Sequence, residues 1–218
     1  MNKKISVELI KRNCLIASIA HALFTCNNPD WDFLQSWDNN NYSIQDAVGT
    51  RGTISFYNDF CIGCFRNDKS RPIKKFDKKI DGFSDYIKKQ FMTETSQYLL
   101  DDRDGVICPI ITSLFYCSGN HIKIISDISS YKKNGISICY PLFERRINKA
   151  FKYWKKEYDL NDKQIELLIE ILNIKIANFS KTIALDNTKL FFTSNHKLNE
   201  KIVQTFRELK IEIKNGEY

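Results

Sequence analysis

TISFYNDFCIGCFR, Thr53 to Arg66, reads as two short strands rich in Phe, Tyr and Ile that turn back on each other at Asn58-Asp59. Gly49 to Gly52 leads into the first of them. Downstream, Val106–Phe115 is apolar and β-branched, Cys117-Ser-Gly-Asn120 breaks it, and His121–Ser126 alternates. Gly135–Tyr140 reads as a further strand. The last three of these segments, Val106–Phe115, His121–Ser126 and Gly135–Tyr140, predict a central antiparallel meander.

Helical patterns surround it. Ser6 can cap a helix over Val7–Thr25, whose stretch Cys14–Phe24 is apolar nearly all round, broken only by Ser18 and His21. Such a helix is buried on most faces. Phe83–Leu100 reads as one or two helices. Pro141 opens a helix that runs to about Tyr158, and Leu160-Asn161-Asp162 caps another over Lys163–Phe179. A short strand, Lys189–Thr193, precedes a last helix, Asn199–Lys210. This order is too irregular for a doubly wound sheet. The expected fold class is therefore α+β, a single domain over residues 1–218 with a short antiparallel sheet, a buried N-terminal helix and a helical C-terminal section. Its best internal boundary lies near Pro141, dividing a mixed part, 1–140, from a mainly helical part, 141–218.

With 43% hydrophobic residues the chain can bury a sizeable core, and only 8 Gly and 4 Pro argue against disorder and against a many-turned sandwich. Heavy use of Lys, Ile and Asn points to an AT-rich bacterial or phage genome. The N-terminus has no leader pattern. The longest apolar run, 11 residues, is too short to span a bilayer. The expectation is a cytoplasmic protein without a membrane partner. Seven cysteines, an odd number, argue against a disulfide framework.

Charge is distributed unevenly. Between Arg12 and Arg51 there is no Lys or Arg, while Asp30, Asp32, Asp38 and Asp46 surround Trp31 and Trp37. Between Arg71 and Lys156 stand 17 Lys and Arg against 9 Asp and Glu. Such asymmetry bears on partners. In the acidic stretch, Asp30, Asp32 and Asp38 suit a steering rim, and Trp31 and Trp37 suit anchors for a basic protein; the alternative is a solvated loop with two buried tryptophans. In the basic stretch, residues 69–79 carry six cations in eleven positions, Lys74 and Lys75 among them. Arg145, Lys149, Lys152 and Lys156 recur at i, i+4, i+7 and i+11 along the expected helix. They suit phosphates, or simply form a solvated face.

Three constellations carry chemistry. Cys14, His121 and Asp127 have the order nucleophile, base, orienting acid of a thiol hydrolase. However, Cys14 lies two turns inside a helix, without the small-residue turn that would expose it. Cys61-Ile-Gly-Cys64, with Cys108 and Cys117, offers thiols for zinc, but the pair sits in a strand pattern where one thiol would face in and one out. Glu212-Ile-Lys214 has the E-x-K spacing of metal-dependent nucleases, with Asp186 as an upstream acid. No glycine-rich phosphate loop, H-E-x-x-H or calcium-loop pattern occurs, and no cofactor is expected. The residues favour a non-enzymatic protein-binding component, such as an immunity or accessory protein of a bacterial or phage conflict system. The alternatives are a nucleic-acid-binding component using residues 69–79 and 145–156, and the thiol hydrolase.

Overall fold

Ser6 Oγ accepts the Leu9 amide at 3.1 Å and starts helix α1, Val7–Thr25. The structure, a computed structural model, describes residues 5–127, 131–177, 181–190 and 200–214. In chain order there follow strands β1 (Gln35–Asp38), β2 (Asn41–Gln45), β3 (Thr50–Phe56) and β4 (Phe60–Asn67), and helices α2 (Phe76–Ile80) and α3 (Asp85–Thr93). Next are strands β5 (Leu100–Arg103), β6 (Val106–Pro109), β7 (Ser113–Ser118) and β8 (His121–Ile125), then helices α4 (Tyr131–Asn134), α5 (Ile147–Glu157) and α6 (Asp162–Ala177). Strand β9 (Ile183–Asp186), helix α7 (Glu200–Glu208) and strand β10 (Ile211–Lys214) complete the set. The fold is α+β, with an antiparallel sheet.

The chain forms two compact units, one of Met1–Ile10 and Asn40–Tyr140, the other of Lys11–Asn39 and Pro141–Tyr218. In the first, β2, β3, β4, β7 and β8 pair antiparallel in that order. The β3–β4 hairpin turns at Asn58-Asp59, as its sequence predicts. Both faces of the sheet are covered along its central strands β3, β4 and β7. On one, Phe60, Ile62 and Cys64 join Ile73, Ile80, Phe83, Phe91, Leu99 and Ile111 in a continuous apolar cluster. On the other, two glycines leave room for rings: Phe65 lies opposite Gly52 and Phe115 opposite Gly63, with the ring centroids 6.0 Å apart. Asp104 and Gly105, both left-handed, make the two-residue turn of the β5–β6 hairpin.

The second unit contains most of α1. The two polar breaks in its apolar run are attachment points. Ser18 Oγ accepts the Trp37 indole N–H at 2.7 Å, and the His21 ring bonds the Trp31 carbonyl at 2.9 Å. A reciprocal capping box starts α6: Asn161 Oδ1 accepts the Gln164 amide at 3.0 Å, and Gln164 Oε1 accepts the Asn161 amide at 2.9 Å. Strands β9 and β10 pair in parallel.

Four expected elements differ. The run Val106–Phe115 is not one strand of the central sheet: Val106–Pro109 pairs with β5 in a separate hairpin, the chain is redirected where the Ile110 amide donates to Leu99 O and the Thr112 amide to Phe65 O, and β7 starts only at Ser113 and continues through Cys117. Pro141 does not open a helix; it lies within a 3-10 segment, Ile136–Phe143, and α5 begins only at Ile147. Asn13 Nδ2 donates to the carbonyls of Leu142 and Glu144, and Arg146 is extended, so helical bonding cannot pass through this stretch. The same 3-10 segment replaces the strand expected at Gly135–Tyr140. Of the strand expected at Lys189–Thr193, Lys189 and Leu190 end a 3-10 turn, Asn187–Leu190, and the remainder lies outside the described residues.

Candidate functional site

The apolar spacing of residues 73–80 sets the direction of the lysines between them. Ile73, Phe76 and Ile80 belong to or pack on the apolar cluster beneath the sheet, and the Ile73 amide donates to Ile111 O at 2.8 Å. Lys75 adopts a left-handed conformation, φ 51°, and turns the chain into α2. Lys74, Lys75, Lys78 and Lys79 are thereby left on the solvent side. They line a cleft of about 910 Å³ with Lys69, Arg71 and, from α4, Lys133.

One carboxylate stands among these seven cations. Asp127, just beyond β8, accepts the Lys74 amide on Oδ2 at 2.5 Å, and its Oδ1 pairs with Lys79 Nζ at 3.1 Å. The Lys74 amide, more than the two lysine charges, holds this carboxyl below the usual range. Ser70 and Pro72 complete the lining, and no aromatic side chain contributes among the described residues. The cleft is thus a cationic concavity on one apolar support, suited to point-charge contacts with phosphate oxygens. Sequence spacing identified the 69–79 cations but not Lys133, which arrives through a change of direction that no local pattern announces.

The other predicted basic stripe lies in the second unit. Lys149, Lys152 and Lys156 are exposed on α5, while Ala150 and Trp154 are buried. Arg145 is exposed but precedes the helix and does not continue its stripe.

The acidic aromatic segment divides in two. Trp37 is buried, and its backbone amide donates to the Glu208 carboxylate at 3.2 Å. Burial, with Asp32 and Asp38 nearby, raises the Glu208 carboxyl. Trp31 and Phe33 are exposed and stack with centroids 5.9 Å apart in a 3-10 turn, Pro29–Leu34. Asp30 and Asp38 are exposed and Asp32 is half-buried.

Cys14 is fully buried, which pushes its thiol well up. His121 is exposed at the start of β8, and Asp127 is engaged by the cleft lysines. Cys61 and Cys117 are cross-strand neighbours; Cys64 bonds Thr95 O from the opposite face of the sheet, and Cys108 sits in the β5–β6 hairpin. Neither Cys61 nor Cys64 faces solvent, because both faces of the sheet are covered along its central strands. Among the described residues no group of three or more His, Cys, Asp or Glu is placed to hold a metal ion. Asp186 and Lys214 are register partners across the β9–β10 pair, with Glu212 opposite Ala184. No described helix is long and apolar enough to cross a membrane.

Comparison of the chain with protein-family models, with curated proteins and with solved structures yields no match.

Proposed function

We propose that the chain binds nucleic acid through its phosphates, in the cleft of residues 69–79 and Lys133, without reading base sequence. The observation that carries this reading is the convergence of seven cations on one concave surface. Six of the seven are lysines, compact point charges suited to a phosphate backbone rather than to bidentate forks on carboxylates. Among the described residues no aromatic side chain lines the cleft for stacking on bases. The test is binding of a labelled single-stranded thymidine oligomer across a salt series. Affinity should fall linearly on logarithmic axes, and each lysine lost in Lys74→Gln, Lys75→Gln and Lys78→Gln should flatten the slope by about 0.7. A slope that is flat, or unchanged in the triple variant, would overturn the proposal.

A second reading rests on Trp31 and Phe33. An exposed stacked aromatic pair beside Asp30 and Asp32 suits a basic protein partner, in line with an immunity or accessory component. Capture of such a partner by the wild type, but not by Trp31→Ala with Phe33→Ala, would support it.

A further inference from the structure

Asp127 is the one acidic side chain lining the cleft among the described residues, and its two oxygens are used separately. Oδ2 accepts the backbone N–H of Lys74 at 2.5 Å, while Oδ1 faces Lys79 Nζ at 3.1 Å. Lys74 is held in place by its neighbours: the Ile73 amide is bonded to Ile111 O, and Lys75 takes the left-handed turn into α2. On the other side, Asp127 follows Ser126, whose Oγ donates to Thr112 O at 3.3 Å. A carboxylate in this position presents two oxygens and a single negative charge. The non-bridging oxygens of an internal phosphodiester present the same arrangement. A rigid backbone amide and a flexible ammonium serve either group equally.

We propose that the Lys74 amide and Lys79 Nζ form a phosphodiester subsite, which Asp127 fills in the free protein and which a nucleic-acid strand gains by displacing it. This rests on the reading of the cleft as a phosphate-binding surface. It assigns Asp127 a role that its neighbours alone do not require: the carboxylate competes with the ligand for the Lys74 amide and Lys79. It also makes a distinctive thermodynamic statement. A phosphate bound there releases its condensed cation, but the Asp127 carboxylate that it displaces is left unpaired and takes a cation up, so the exchange adds little to the salt dependence. With the carboxylate gone, the phosphate's cation is released without that offset, which steepens the salt dependence of binding.

The experiment compares the wild type with Asp127→Asn on the same labelled thymidine oligomer across a salt series. Asparagine keeps the size and an acceptor for the Lys74 amide but has no charge to hold Lys79. Asp127→Ser serves as a second variant lacking the carboxylate, and thermal melts establish that each is folded. The proposal expects both variants to bind several-fold tighter at low salt. It also expects a slope steeper by about 0.7, the increment for one additional phosphate contact on a single strand. Equal or weaker binding by the folded variants, beside a salt-dependent wild type, overturns the subsite and leaves the cleft reading standing. Absence of binding by wild type and variants alike overturns both.

Discussion

The Trp37 indole N–H donates to Ser18 Oγ at 2.7 Å, and the same hydroxyl donates to Cys14 O at 2.8 Å, so the tryptophan is tied into the backbone of α1 through one serine. Trp37 is therefore part of the core of its unit. Trp37→Ala should cost roughly 3–5 kcal/mol, the range for emptying a buried aromatic site. Trp31→Ala, at an exposed position, should stay within about 0.5 kcal/mol. Denaturant unfolding of the two variants checks this. Similar losses for both would contradict the division of the segment into a buried and an exposed tryptophan.

A different contrast concerns the indole hydrogen bonds. Trp154 Nε1 is buried with no partner among the described residues, whereas Trp37 Nε1 has one. Replacement by Phe should cost about 1 kcal/mol more at Trp37 than at Trp154, the net worth of a buried hydrogen bond. Chemical unfolding of Trp37→Phe and Trp154→Phe gives the difference, and a greater loss at Trp154 would refute it.

The strand glycines are required by close approach rather than by backbone angle. A Cβ on Gly52 would lie 2.0 Å from Phe65 Cδ1 and 2.6 Å from the Cys64 carbonyl oxygen; one on Gly63 would lie 2.4 Å from Phe115 Cε1. Gly82 has nothing within 4 Å of such an atom. Gly52→Ala and Gly63→Ala should each destabilise by about 1–3 kcal/mol, as overpacking does, while Gly82→Ala should be tolerated. Melting temperatures of the three variants decide the matter.

Lys175 is buried in α6 and donates to Lys181 O at 2.8 Å. Burial first, and Lys210 second, lower its ammonium from 10.5 to about 8. Below about pH 8 the folded chain carries the desolvated charge. Between about 8 and 10.5 it sheds the proton while the unfolded chain keeps it, so stability rises with pH through that window. Lys175→Met lacks this gain. The melting temperature of the wild type relative to Lys175→Met should therefore rise between about pH 7 and about pH 10. A constant difference would show that the group does not titrate there.

Much of this architecture is legible in the sequence where one local rule acts alone. The β3–β4 hairpin follows from its turn and its aromatic strands, α1 from Ser6 and its apolar run, and α6 from the cap at Leu160 to Asp162. The misread segment, Gly135–Glu144, is one where a remote side chain decides. Asn13, far away in sequence, takes the Leu142 and Glu144 carbonyls, and proline at the expected helix start cannot compensate. The candidate site divides in the same way. Composition marks residues 69–79, with six cations in eleven positions, as basic; that Ile73, Phe76 and Ile80 leave the lysines outward is set by their packing on the apolar cluster. The arrival of Asp127 and Lys133 depends on where β8 and α4 deliver the chain, and no periodicity encodes that. Cys61 and Cys64 illustrate the converse: alternation correctly separates their faces, but only the packing of a second layer hides both thiols.

The claim that the cleft is the nucleic-acid surface is tested most directly by lysine footprinting. The folded protein is acetylated with and without a saturating single-stranded thymidine oligomer, and modification is mapped by peptide mass spectrometry. Lys69, Lys74, Lys75, Lys78, Lys79 and Lys133, which line the cleft, should be protected together. Lys149, Lys152 and Lys156 on α5, exposed in the other unit, should react as before. Protection confined to the α5 lysines, or none at any lysine despite bound oligomer, would contradict the account.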